Sequence, residues 1–322
     1  MEDVAAAAGV SRALVSLVMR GSPKVSDARR RAVLDAAERL QYRPNAMARG
    51  LASSRTKTIG VLLNDLHNPF FADIAGGIEA LASELGYQLL LGQTGYDVAR
   101  EEAVLNAMIG RQPDGIVFSG LVHAPHVRER LARTRIPVVE IWDLSQRPVD
   151  MLVGFSHLKV GSAVAGYFLS KGWRRVGVAS GDDHRARQRH EGFVAAFGTP
   201  VPAAFVPAPS NLERGRRALA DLLAQDPGLR AVCCSSDQLA QGVMVEAQAR
   251  GLRVPQDLAV CGFGNAEFSP HLLPSLSTVL IDGPEIGRLA AQMVLARCRG
   301  EAVAEPVVDV GFRIVEREST AG

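Results

Sequence analysis

Residues 3–19 read DVAAAAGVSRALVSLVM, and this stretch decides what the N-terminus is. Residues 2–8 are Ala-rich and helical by propensity. Gly9 stops that helix, and Ser11 is a good N-cap for the next one. In RALVSLVM the apolar face carries Leu14, Val15, Val18 and Met19. Gly21, Ser22 and Pro23 end the second helix. Ser26 caps a third, DARRRAVLDAAERLQ, whose expected packing positions are Ala28, Val33, Ala36, Ala37 and Leu40. Two short helices around a tight glycine turn, closed by a third, predict a helix-turn-helix domain. Spacing alone also fits another three-helix module with a basic surface.

Charge separates this module from the remainder. The first 57 residues hold eleven basic against five acidic side chains, a surplus of six, whereas the whole 322-residue chain carries only +2. A basic module on a mildly acidic body implies a polyanionic partner for the module alone. No apolar run approaches the ~20 residues that span a bilayer, and the start lacks a signal-peptide pattern. A cytoplasmic protein with no membrane partner is the simplest reading. The cysteines Cys233, Cys234, Cys261 and Cys298 have no C-x-x-C spacing, so buried reduced thiols are expected and no metal.

From Lys57 onward apolar strands alternate with amphipathic helices: TIGVLLND, FFADIAGGIEALASELG, YQLLLGQ, AREEAVLNAMIGR, DGIVFSG, and so on through DLAVCGFG. That pattern means parallel sheets covered on both faces. About ten repeats exceed one sheet, so two doubly wound subdomains are expected, with a ligand between them at the strand C-termini. Enzyme signatures are missing: no G-x-G-x-x-G follows a strand, no phosphate-binding G-x-x-x-x-G-K-[ST] occurs, and no G-x-S-x-G elbow appears. His157, His184 and His190 lack H-E-x-x-H spacing, and the latter two are expected to be solvated near arginines. The chain is therefore expected not to be an enzyme and to need no cofactor.

The strings DVAAAAGVS, PKVS, YRPNAMARGL and TIGVLLNDLHNPFF, in that order and spacing, resemble the LacI family of bacterial regulators, and the resemblance runs to the C-terminus. It implies a helix-turn-helix headpiece (1–44), a hinge helix and linker (45–56), and a periplasmic-binding-protein-like α/β core (57–322). Within the core it implies an N-subdomain of about 57–156 and 284–315 and a C-subdomain of about 157–283. It further implies a homodimer on a pseudo-palindromic DNA operator, controlled by a small-molecule effector. Carried over by position, Arg12, Ala13 and Leu17 read bases, Ser11, Ser16 and Arg20 lie near phosphates or groove edges, Asn45 caps the hinge helix, and Ala48 and Leu51 enter the minor groove. Leu17 stands where relatives commonly carry Arg, so an apolar contact replaces a bidentate pair there. Relatives also begin several residues earlier, so a longer native N-terminus is expected.

For the effector, the resemblance implies Arg189 as the cleft arginine, with Phe70, Phe71, Ser119, Trp142, Asp143, Phe155, Ser236, Asp237 and Asn265 at pocket or near-pocket positions. Arg185 and Arg187 read as solvated helix charges, and Asp237 also reads as a helix cap. Many sugar-binding relatives carry Asp where this chain has Gly264, in G-F-G-N. A cleft that keeps an arginine and loses a carboxylate favours an anion. The blocks GQTGYDVAREE, IPVVEIWDLSQRPVDMLVGFS and DVGFRIVERES look most like gluconate-utilisation repressors, so a sugar acid is the expected effector. Alternatives are a neutral sugar or nucleobase co-repressor, a protein partner, or a transporter's solute-binding protein.

Overall fold

The computed structural model describes residues 1–19, 21–42, 55–66, 68–120, 125–145 and 147–321. They form two compact units, Met1–Lys57 and Thr58–Gly322. The first contains helices α1 (Glu2–Ala7), α2 (Arg12–Met19) and α3 (Asp27–Arg39). Gly9 turns at φ +63°, and the Ser11 hydroxyl accepts a hydrogen bond from Leu14 N, as the cap reading requires. Val4, Val15, Val18, Val33 and Ala36 are the buried centre. Two expected packing positions are exposed, Ala28 and Leu40. Leu40 is the C-cap of α3, where the backbone leaves the helical path, and Tyr42 packs on the core instead. Val25, ahead of α3, closes the core at the helix's other end.

Among the described residues, the second unit is built on two six-stranded sheets. The first takes β1 (Thr58–Leu63), β2 (Gln88–Gln93), β3 (Gly115–Ser119), β4 (Val138–Ile141), β5 (Met151–Gly154) and β11 (Val307–Asp309) in the order β11-β5-β4-β3-β1-β2, all parallel. The second takes β6 (Val176–Gly181), β7 (Ala203–Val206), β8 (Ala231–Cys234), β9 (Ala259–Phe263), β10 (Ser277–Leu280) and β12 (Arg313–Val315) in the order β12-β10-β9-β8-β6-β7. Only β12 runs antiparallel there, against β10. The pairing of Arg313–Val315 with β10 corrects the expected subdomain boundary, which gave residues up to 315 to the first half.

The covering helices are α4 (Pro69–Glu84), α5 (Val98–Gly110), α6 (Pro125–Thr134) and α11 (Gly283–Cys298) around the first sheet. Around the second lie α7 (His157–Ser170), α8 (His184–Phe197), α9 (Leu212–Gln225) and α10 (Asp237–Ala249). Strands β3, β4, β5 and β9 are buried at every position, as sheets covered on both faces require.

Three helix pairs use glycine to bring backbone against backbone. A methyl on Gly161 of α7 would strike the Arg189 carbonyl of α8, and one on Gly192 would strike the Leu158 carbonyl. Gly77 and Gly287 do the same for α4 and α11, and Gly215 and Gly242 for α9 and α10. The α7–α8 contact matters for function, because it seats Arg189 against the start of α7. Gly166, on the exposed face of α7, has nothing within 4 Å of its would-be methyl. One substitution should therefore act with opposite signs along a single helix. Gly166→Ala is expected to stabilise by about 0.5–1 kcal/mol through helix propensity, whereas Gly161→Ala should destabilise by about 1–3 kcal/mol or more. Urea melts of the two variants check this, and equal effects would show that the close approach is not required.

Candidate functional site

Both sheets reverse their strand order beside their first strand, between β1 and β3 and between β6 and β8. Chain ends at such points diverge and leave a crevice. A cavity of about 180 Å³ lies there, between the two halves of the second unit. Its walls include Asp65, Phe70, Phe71, Asp73 and Trp142 from the first half, and Asp183, Arg185, Arg189, Ser236, Phe263 and Asn265 from the second.

Arg189 projects from α8 and is fixed on three sides. Its Nη1 donates to His157 Nδ1 at 2.8 Å, its Nη2 donates to the Ser235 carbonyl at 3.1 Å, and its guanidinium carbon lies 4.1 Å from the centre of the Phe263 ring. Because His157 Nδ1 accepts, its proton sits on Nε2, which donates to the Trp142 carbonyl at 3.0 Å. Burial first, and then repulsion from Arg189 and Arg185, hold His157 well below the ordinary imidazole range and keep it neutral. Arg189 Nε is shielded from solvent and has no hydrogen-bond partner among the described residues. No carboxylate among the described residues forms an ion pair with this guanidinium. A desolvated cation–π contact is worth about 2 kcal/mol or more, but it neither neutralises the charge nor satisfies the Nε–H, as a charge-assisted pair with an anion would. The site therefore calls for an anionic or strongly hydrogen-bonding ligand.

Arg185, one turn earlier on α8, is in the opposite condition. Its side chain is 13% exposed, and its Nε donates to Asp143 Oδ2 at 2.8 Å across the cleft. Its Nη1 donates to Asn64 Oδ1 at 3.0 Å, and Ser119 Oγ donates to the same oxygen at 2.9 Å. Asn64 is turned that way because its Nδ2 donates to the Gly95 carbonyl at 2.8 Å. Gly120, at φ +107°, leaves room for the guanidinium, which a side chain there would displace. This corrects the reading of Arg185 as a solvated charge: the i, i+4 spacing puts Arg185 and Arg189 on one helix face, and that face is the cleft wall. Arg187, between them, is half-exposed and pairs with Asp182. His190 is half-buried against the Phe205 ring rather than solvated.

The aromatic wall comes from residues far apart in sequence. The Asn68 side chain caps α4 by accepting from Phe70 N at 3.1 Å, and Pro69 follows it at the start of the helix. Phe70 then lies 4.0 Å from Trp142, centre to centre. Trp142 adopts φ +80°, a strained conformation costing about 1–3 kcal/mol. It is held by its own N–H on the Val153 carbonyl and by His157 on its carbonyl. Three expected pocket or near-pocket residues do not line the cavity, and one of them, Asp143, has its carboxylate on Arg185 instead. Phe155 is fully buried beneath Trp142, and Ser119 is buried behind Asn64. Asp237 lines the wall, but its carboxylate already accepts from Ser269 Oγ, Thr278 Oγ1 and Ala266 N. Ser236 caps α10, and Asn265 Oδ1 accepts from Arg317, so these two hold the wall in shape. Gly264 sits at φ +120° with nothing within 4 Å of its would-be methyl, adding space to the wall in place of a carboxylate.

Residues 1–45 match the bacterial regulatory proteins of the lacI family, and residues 165–320 match the periplasmic binding protein-like domain. The HTH-type transcriptional regulator GntR of Pseudomonas aeruginosa is 33% identical over 326 residues, covering 99% of this chain and 95% of its own length. Catabolite control protein A of Priestia megaterium is 34% identical, covering 99% and 98%. The chain belongs to the LacI family. A crystal structure of a LacI-family transcriptional regulator from Silicibacter pomeroyi superposes with a TM-score of 0.92 at 34% identity, over 99% of this chain and 98% of that one. This LacI-family chain is thus a DNA-binding transcriptional regulator and not an enzyme. No helix among its described residues is long and apolar enough to cross a membrane.

In the headpiece of this LacI-family regulator, Ser11, Arg12 and Ala13 are exposed at the start of α2, and Arg12 pairs with Glu2 at 2.7 Å. Both partners are largely solvated, so the pair is worth little and leaves Arg12 free to exchange it for another anion. Ser16 is half-buried, and Leu17 rests partly on the headpiece core, which limits how far its side chain can extend. Arg20, Asn45, Ala48 and Leu51 lie outside the described residues.

His157 supplies a pH test of the cleft. The unfolded chain takes up a proton near pH 6.5 while the folded chain does not, so this residue's contribution to stability is present above pH 6.5 and is lost as pH falls below it. Between pH 7.5 and 5.5 the advantage of the wild type over His157→Gln should shrink, by on the order of 1 kcal/mol. Guanidinium denaturation at the two pH values measures it, and a constant difference would mean the imidazole titrates normally.

Proposed function

We propose that this regulator represses genes for the use of a sugar acid, that it binds a pseudo-palindromic operator as a two-fold dimer, and that an aldonate such as gluconate releases it. The observation that carries the effector reading is Arg189, a guanidinium built into the cleft wall with no carboxylate of its own. A carboxylate fits that deficit, and the hydroxyls of an aldonate chain suit the acceptors Asp65 and Asp183 on the same wall. Open space rather than an acid at Gly264 removes a repulsion that would oppose an anion. The name of the Pseudomonas aeruginosa relative, GntR, agrees with this reading, while Catabolite control protein A matches at the same level. Identity alone therefore does not choose the effector, and the support for a sugar acid is the chemistry of the wall. In the headpiece, Ser11 ahead of α2 and Arg12, Ala13, Ser16 and Leu17 within it are the residues that we assign to the DNA. Linkage requires effector and operator to weaken each other equally.

Calorimetry with D-gluconate and D-glucose tests the reading, with operator release followed by fluorescence anisotropy. Gluconate should bind and glucose should not. Arg189→Gln should weaken gluconate by at least about 30-fold, the equivalent of 2 kcal/mol, while leaving headpiece binding to operator intact. Tight binding of a neutral sugar or a purine, with no response to aldonates, would overturn it.

A further inference from the structure

Two arginines one helical turn apart face one cavity, yet they differ in charge balance. Arg185 is matched by Asp143, which is 7% exposed at the end of β4, and by the Asn64 oxygen at the end of β1. The direct contacts of Arg189 are all neutral, an imidazole nitrogen, a carbonyl and an aromatic face, while Asp183 and Asp143 act on it only as charges beyond ion-pair distance. The geometry points to Asp143 as a specificity-determining residue: by neutralising Arg185 it leaves the cleft one unpaired guanidinium, so the site takes a sugar acid with one carboxylate and rejects one with two. This inference rests on the sugar-acid reading above and goes beyond it in fixing the ligand's charge.

The rest of the wall supports the same conclusion. Asp65 and Asp73 from the first half and Asp183 and Glu267 from the second also line the cavity. Carboxylates accept hydrogens from ligand hydroxyls but repel a second ligand carboxylate. Asp73 and Glu267 already repel each other, since burial and then the Glu267 charge push the Asp73 carboxyl up. A second anionic end on the ligand would add to that repulsion unless a second cation were free to meet it. Arg185 is the cation whose position would allow this, and Asp143 holds it. Its socket was built for that contact: Ser119 and Gly95 orient Asn64, and Gly120 makes room for the guanidinium.

The test compares D-gluconate with D-glucarate, which carries a carboxylate at each end, by calorimetry on the full chain. In the wild type, gluconate should bind at least tenfold more tightly than glucarate. Asp143→Asn keeps the side-chain shape, frees Arg185, and should raise glucarate affinity at least tenfold relative to gluconate. Adding Arg185→Met to Asp143→Asn should abolish that gain, which separates a charge effect from a general loosening of the cleft. Wild-type binding of glucarate as tight as gluconate, or an unchanged ratio in a folded Asp143→Asn protein, would overturn the inference while leaving the sugar-acid reading intact. Absence of binding by either acid would overturn both. If the single variant does not fold, wild-type binding of glucarate as tight as gluconate still overturns the inference.

Discussion

A half-buried guanidinium held on a neutral imidazole is the constraint around which this cleft is arranged. Arg189 can stay where it is only because His157 offers a lone pair, and His157 offers that lone pair only because burial and two neighbouring cations keep it unprotonated. The Nε2–H of the same ring then pins the carbonyl of Trp142, a residue in a backbone conformation that needs external support. One imidazole thus orders the charged side of the cavity and its aromatic wall together. Were it protonated, both nitrogens would be donors and the contact with Arg189 would become a clash of like charges.

That arrangement depends on helix packing one layer further out. Arg189 and His157 lie on different helices, and they meet because Gly161 and Gly192 let α7 and α8 touch backbone to backbone. The same device recurs in α4–α11 and α9–α10, so each half of the core has helices locked closely enough to carry side chains into the crevice in a fixed direction. Asp143 is held in a comparable way: a methyl at Gly154 of the neighbouring strand would strike its backbone carbonyl. Interiors this dense transmit small displacements instead of absorbing them, a property that a ligand-controlled regulator uses.

The two arginines show where one-dimensional reading stops. Both stand in RARQRHEGF, and their spacing puts them on the same helix face, a signal that was available. What the spacing does not carry is the partner of each. Arg185 reaches Asp143 and Asn64, which lie 42 and 121 positions away in sequence. Ser119 and Phe155 illustrate the converse error: both sit at strand ends, where ligands gather, yet one is covered by Asn64 and the other by Trp142. Leu40 had the right period for the headpiece core and is exposed because the helix ends there.

Local chemistry was enough for the architecture. Capping serines, glycine stops, the basic surplus of the first 57 residues and the strand–helix alternation after Lys57 are properties of neighbouring residues, and they specified a basic three-helix headpiece, which the LacI resemblance made a helix-turn-helix, on a two-sheet α/β core. The return of Arg313–Val315 to the second sheet and the contrast between a matched Arg185 and an unmatched Arg189 were decided only in three dimensions. The physical reason is that burial, hydrogen-bond satisfaction and charge pairing depend on distances between groups far apart in the chain, and sequence spacing measures none of those distances.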